Sequence, residues 1–270
     1  MPHKTWREEV IVNFDPVAIS IFGWGIHWYG LMYVLAFVSA WKLARLQTKR
    51  HYQDWNYEQI DDLLFYGGMG VILGGRVGYV FFYSFSDFIS NPVMIFQVWQ
   101  GGMSFHGGLL GVMLAMLLFN RKYKKGYFNI LDFGAPLIPL GLGFGRIGNF
   151  INGELWGKPT DLPWGMVFPA ADNLSRHPNP LYEAILEGLV LFIILWWFSA
   201  KKRAKMSTIA VFFTGYGIFR FLIEFVRVPD VHLGYIAWGW LTQGQILTIP
   251  ILFTGLFLFW LVRKDSKSNN

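Results

Sequence analysis

The chain has 270 residues, 54% hydrophobic, 19% aromatic and only 15% charged. Soluble domains carry about 25% charged residues, so this composition excludes an ordinary soluble protein and points to a membrane one. It has no cysteine and a net charge of +6, which excludes disulfides and a thiol nucleophile of its own.

Residues 1–16 are polar and lack the short apolar core of a signal peptide, so no cleaved signal is expected. Seven apolar runs follow, at 17–41, 63–85, 103–119, 130–151, 181–200, 206–225 and 244–262. About 20 residues of helix cross a bilayer, so the chain is expected to be an all-α polytopic membrane protein of seven spans. The first span would serve as an uncleaved signal. Fifteen of the 23 Lys and Arg fall in four clusters, beginning at Lys42, Arg121, Lys201 and Arg263, after spans one, three, five and seven. The positive-inside rule makes that face cytoplasmic and the amino terminus external. Most of the +6 is then topology, and nucleic acid is not expected as a partner.

Eight basic residues remain: Lys4, Arg7, Arg76, Arg146, Lys158, Arg176, Arg220 and Arg227. Arg146 ends an apolar run in GLGFGRIGNFINGELWG, 141–157, where a guanidinium costs about 2.5–3.5 kcal/mol on insertion scales. Such a charge is usually retained because it meets an anion. In the deduced topology His106 lies one turn into span three, and Arg220, Glu224 and Arg227 share one face at the outer end of span six. Asn152 and Glu154 begin the outer loop. Polar groups from separate spans thereby point to one outer-leaflet region.

Plainer readings accompany each group. Arg220 and Glu224 can neutralise each other, and His106 can be a packing histidine among Gly107, Gly108 and Gly111. Arg76 is open between a partner for Asp132 and a substrate contact. Glu183 and Glu187 are open between buried and interfacial acids, and Asp132 reads as a helix-end residue. Gly143-Phe-Gly145-Arg-Ile-Gly148 matches a dinucleotide fingerprint without the strand that fingerprint requires, so its glycines read as packing and backbone access around Arg146. The six scattered histidines support no metal site, and there is no G-x-S-x-G elbow. An ion path through the membrane and a purely structural subunit are the alternative classes. The outward gathering of the polar groups argues against the first, and the polar cluster itself against the second.

The segments HWYGLMY (27–33), GGRVGYVFFY (74–83), GGMSFHGGLLG (101–111), GRIGNFINGELWG (145–157), RHPNPLYEAILEG (176–188) and GYGIFRFLIEFVRVPD (215–230) closely resemble prolipoprotein diacylglyceryl transferases of bacterial inner membranes. The likeness runs in order from about residue 14 to 262. It implies a seven-helix membrane domain, 1–262, with a small periplasmic head at about 152–178 and a polar cytoplasmic tail at 263–270. It also implies transfer of the diacylglyceryl group of phosphatidylglycerol to the lipobox cysteine of a preprolipoprotein signal peptide, without a cofactor, from a site facing the outer leaflet. The family's important positions fall at Tyr29, His106, Arg146, Asn149, Glu154, Gly157, Arg220, Glu224 and Arg227. Chemistry suits them: a histidine can take a thiol proton, and guanidinium forks suit phosphate oxygens. His106 is then the expected base or proton carrier, with Arg146 and Arg220 the phosphate binders. Glu154 and Glu224 are expected to orient those arginines, and Tyr29 and Asn149 to hydrogen-bond the lipid.

Overall fold

The computed structural model describes residues 10–229 and 234–268, with side chains as far as 264. Lys4, Arg7, His3, His232 and the tail side chains from 265 onward lie outside the described residues. In chain order the elements are β1 (Val10–Ile11), β2 (Val17–Ile21), β3 (Trp24–His27), α1 (Trp28–Gln47), α2 (Tyr57–Tyr83), α3 (Phe85–Ser90), α4 (Phe105–Tyr123), α5 (Tyr127–Gly134) and α6 (Ile138–Ile151). Then come β4 (Met166–Val167), β5 (Ser175–Arg176), α7 (Asn179–Glu183), α8 (Leu191–Phe198), α9 (Ser207–Ile223), β6 (Tyr235–Ala237), β7 (Leu241–Thr242) and α10 (Gln243–Ser268). The molecule is mostly helical. The expected all-α body is corrected by three small sheets among the described residues.

Among the described residues, four helical stretches are long and apolar enough to cross a membrane: Tyr57–Tyr83, Tyr127–Ile151, Asn179–Phe198 and Gln243–Lys264. Helix α9 is apolar but has 17 residues. The run at 17–41 is not one helix. Its opening part, 17–27, is a β2–β3 hairpin, closed by Phe22 and Gly23 at φ 50° and 83°. That two-residue turn with both φ positive matches strand twist, and V-A-I-S-I has the β-branched character of a strand. Helix starts only at Trp28. The Tyr127–Ile151 stretch tightens to a 3₁₀ turn at Ala135–Leu137, where Pro136 and Pro139 remove backbone donors.

The chain forms two compact units. In the first, residues 1–40 and 134–270, α6 packs on α7 and on the π-helical stretch Ala184–Val190 that joins α7 to α8, while α9 packs on α10. Glycines permit both approaches: a Cβ at Gly188 would lie 2.7 Å from the Gly143 Cα, and one at Gly255 2.7 Å from the Thr214 nitrogen. A small sheet pairs β1 parallel to β4, and β4 antiparallel to β5. The expected head segment is thus joined by a strand from near the amino terminus. A bridge Gly157–Arg227 ties the same segment to the chain just after α9, and a bridge Pro159–Arg176 closes the segment on itself. Arg176 pairs with Asp172 at 2.5 Å and holds that carboxyl below its usual range.

The second unit, residues 41–133, is built on the α2–α4 seam. Gly70, Gly74 and Gly78 face Gly107 and Gly111 so closely that a Cβ at Gly107 would lie 2.3 Å from the Gly74 carbonyl oxygen. An Asn56–Gln59 capping box starts α2. Trp55 stacks on Phe133 at 4.0 Å and 5°. Arg76 bonds to backbone carbonyls of its own unit. Buried at 3% exposure, it donates to the carbonyls of Met94, Gly101 and Gly102, fastening the segment that leads into α4.

Gly74→Ala should lower the unfolding midpoint in detergent, since overpacking a fixed backbone contact costs about 1–3 kcal/mol. Gly30→Ala, where nothing lies within 4 Å of the added carbon, should leave the midpoint unchanged or slightly raised. Equal behaviour of the two variants would remove the close-packed seam as a stabilising feature.

Candidate active site

Arg146 sits near the end of α6, and the turn after it is closed by Gly153 at φ 65°. The Asn152 and Gly153 amides bond back to the Gly148 and Phe150 carbonyls at 3.0 Å each, a termination that favours glycine. This brings Glu154 back over the helix end. Its Oε1 accepts from Asn149 Nδ2 at 2.8 Å and from Asn152 Nδ2 at 3.3 Å. Asn149 in turn accepts a long bond from Arg146 Nη1 at 3.4 Å. Glu154 therefore reaches Arg146 through Asn149 rather than directly. The Tyr29 ring covers the backbone here, because a Cβ at Gly148 would lie 2.7 Å from its Cδ2.

Arg146 meets a different carboxylate. Its Nε ion-pairs with Glu183 Oε2 at 2.7 Å. Glu183 is fully buried, and its Oε1 accepts from Arg220 Nη1 at 2.6 Å and from Asn179 Nδ2 at 3.0 Å. Arg227 Nη1 stands 3.5 Å from that same oxygen. Arg220 also donates through Nη2 to Glu224, and Arg227 Nε lies 3.8 Å from Glu224. Thr242 completes Glu224 with a 3.0 Å hydroxyl bond while capping α10 in a reciprocal pair with Gln245. Gly244 makes room, since a Cβ there would lie 2.5 Å from a Glu224 oxygen. A cavity bordered by Arg220, Glu224, Arg227, Thr242 and Gly244 opens beside this pair.

The first unit thus brings together Tyr29, Arg146, Asn149, Glu154, Arg220, Glu224 and Arg227. Gly157 has a packing reason to be glycine: its Cβ would lie 2.6 Å from His177 Cβ and 2.7 Å from the Val226 oxygen. Its amide bonds to the His177 carbonyl at 2.9 Å. Burial, and then the nearby Lys158, push the His177 ring below its usual pKa. His106 belongs to the second unit, exposed in the first turn of α4. Ser104 caps that turn by accepting from the Gly107 amide at 3.2 Å, and Gly107 and Gly108 are buried in the helix seam. Those glycines serve packing, and His106 is exposed, as are Phe105, Leu109 and Leu110 of the same motif. Sequence reasoning missed the junction formed by Glu183, together with Thr242 and Gly244. The available signal was an acid inside an apolar run.

Chemically, three guanidinium ions contact two carboxylates, Glu183 and Glu224, among the described residues. Two further carboxylates stand close by: Glu154, joined to Arg146 through Asn149, and the buried Glu187. Arg220 commits both terminal nitrogens to protein carboxylates, whereas Arg146 uses Nε for its ion pair and keeps its Nη edge nearly open, with 23% of the side chain exposed. That Nη edge offers donors to an anion.

Comparison with known proteins accords with this geometry. Residues 16–261 match the family model described as prolipoprotein diacylglyceryl transferase. The chain is 55% identical to the phosphatidylglycerol–prolipoprotein diacylglyceryl transferase of Pseudomonas paraeruginosa over 255 residues, covering 94% of this chain and 96% of that one. It is 57% identical to the like-named protein of Pseudomonas putida, covering 92% and 94%, and 56% identical to that of Acinetobacter baylyi, covering 92% of each. The chain belongs to the prolipoprotein diacylglyceryl transferase family.

Proposed function

We propose that this protein transfers the diacylglyceryl group of phosphatidylglycerol to the lipobox cysteine of a preprolipoprotein. The open Nη edge of Arg146 carries the reading, because a phosphodiester oxygen can accept from those donors. In the reaction a thiolate sulfur bonds to the glyceryl carbon and the carbon–oxygen bond to phosphate breaks. The electron pair leaves with glycerol phosphate, and the thiol proton passes to a base. The leaving phosphate gains a charge as that bond breaks, so guanidiniums held in a low-dielectric site stabilise the transition state more than the bound lipid. Arg146 is the direct phosphate ligand in this reading. Arg220, with Glu224 and Arg227, supplies fixed positive charge behind it. Tyr29, Asn149 and Glu154 shape the lipid side, Gly157 supports the head, and His106 takes or relays the thiol proton. Purified protein given phosphatidylglycerol and a lipobox peptide should yield a peptide heavier by one diacylglyceryl group in thioether linkage. Unmodified peptide at full lipid occupancy would overturn the reading.

The finer topology belongs to the same proposal: seven spans in a bacterial inner membrane, amino terminus outside, carboxyl terminus in the cytoplasm, active site toward the outer leaflet. The four basic clusters support it. In this cysteine-free chain, single cysteines at Asn173 and Ser268 should label from opposite sides of the membrane. Labelling of both from outside would contradict the orientation.

His106→Gln should insert normally and bind lipid, because the side chain is exposed and its neighbours carry the packing. Turnover should fall about 10²–10⁴-fold, the usual contribution of a general base. Near-normal turnover would remove His106 from that role.

Replacing Arg146 by Lys keeps charge but removes the planar donors. One or two charge-assisted bonds of about 1.5–3 kcal/mol each are at stake, or roughly ten-fold to several thousand-fold in rate. Arg220→Lys should lose less, since an ammonium between Glu183 and Glu224 preserves the positive charge there. Steady-state rates with saturating peptide read the difference. Equal, undiminished activity of both variants would mean that point charge suffices.

A further inference from the structure

Glu183 stands in the mainly apolar sequence NPLYEAILEGLV as the last residue of α7, and no solvent reaches it. A buried carboxylate is tolerated only when its charge and lone pairs are met. Here the charge is met by arginines from three separate places, Arg146 on α6, Arg220 on α9 and Arg227 beyond the end of α9, while Oε2 has the Arg146 ion contact without a hydrogen bond. Among the described residues no other group contacts all three. Glu224 touches Arg220 and Arg227 only. Glu187, one turn further along and equally buried, hydrogen-bonds to nothing described.

The surrounding backbone holds Glu183 still. Asn179 donates to it from one turn earlier at 3.0 Å, and the π-helical stretch that follows is seated on α6 through the Gly143–Gly188 contact. The carboxylate also determines which nitrogens remain available. By engaging Arg146 at Nε it leaves the two Nη groups directed elsewhere, while at Arg220 it takes a terminal nitrogen.

We infer that Glu183 is the positioning residue of the anion site, its one carboxylate setting the spacing and orientation of Arg146, Arg220 and Arg227. The inference rests on the phosphatidylglycerol reading given above. Glu183 lies behind the guanidiniums and does not touch the lipid. Attraction for the phosphodiester comes from the arginines and survives its loss. What the loss disturbs is their mutual placement, which counts most when the leaving phosphate takes on its second charge.

The test uses full-length Glu183→Gln and Glu183→Asp beside wild type, assayed with phosphatidylglycerol and a lipobox peptide. Lipid-binding stoichiometry is measured on the same preparations. Gln keeps the shape and removes the charge, so kcat should fall about 100-fold, the usual cost of a misplacement near 1 Å. KM for the lipid should stay level or drop, and binding stoichiometry should remain that of wild type. Asp keeps the charge but is one methylene shorter, so kcat should fall about ten- to a hundred-fold with the same unchanged KM and stoichiometry. A purely charge-compensating Glu183 would leave Asp active. The inference is overturned if Asp turns over within threefold of wild type. It is equally overturned if KM rises while kcat holds, or if lost turnover merely tracks lost binding stoichiometry. Should Gln fail to fold, Asp decides by the same criteria. Wild type that makes no thioether would overturn the transfer reading and this inference together. Active wild type beside equally active variants would overturn this inference alone.

Discussion

Burial of the Glu183 carboxylate among three guanidiniums is the interaction on which the rest of the first unit depends. Neither sign of charge belongs in an apolar helix bundle alone, and each is acceptable because the other is present. Removing one partner of such a buried pair typically costs about 3–5 kcal/mol. The pairing links α6, α7, α9 and the segment after α9, so the fold is fastened by the same groups that form the site. Packing and chemistry are not separable here. The helices exclude water, the excluded water makes the charges matter, and the charges fix which helices meet.

Glycine makes this closeness possible. Gly143 against Gly188 lets α6 approach the π-helical stretch, Gly148 accepts the Tyr29 ring, and Gly244 leaves space for the Glu224 carboxylate. In each case the missing side chain is next to a residue with a polar task. The run that mimics a dinucleotide fingerprint divides accordingly: Gly143 and Gly148 are close-approach positions, whereas nothing lies within 4 Å of a Cβ placed at Gly145. The second unit uses the device more extensively, along the α2–α4 seam, and leaves His106 exposed at its edge.

Much of the helical framework was legible because hydropathy over about 20 residues is a strong signal. The run at 130–151 appears as Tyr127–Ile151, and that at 244–262 as Gln243–Lys264. The hairpin at 17–27 was hidden because an apolar strand and an apolar helix look alike until a turn is identified, and Phe22 is an unusual residue at positive φ. The β1 strand was hidden too, since two residues in a polar stretch pair with a partner more than 150 positions away. At the candidate site, residue types were legible, and so was the Arg220–Glu224 pair one turn apart on a helix, but partners from other elements were not. Arg146, Arg220 and Glu224 stood out as charges among apolar neighbours, and the family resemblance marked Tyr29, Asn149 and Gly157. That Glu183 would serve three arginines is a tertiary fact, invisible to spacing along one helix. Arg76 shows the same limit: its acceptors are backbone carbonyls, which no side-chain pattern announces.

The way the nitrogens are allotted gives the cluster its direction. If every guanidinium were fully paired, the site would be a structural knot with nothing to offer a ligand. If none were paired, the arginines would repel one another and turn toward water. The observed case lies between. Arg220 is saturated by two glutamates and serves as a frame, whereas Arg146 is held by one nitrogen and keeps its outer edge nearly open. Fixed donors of this kind need little reorganisation when charge develops in front of them. The acids set the geometry of the bases, and the open edge of Arg146 is left for the substrate.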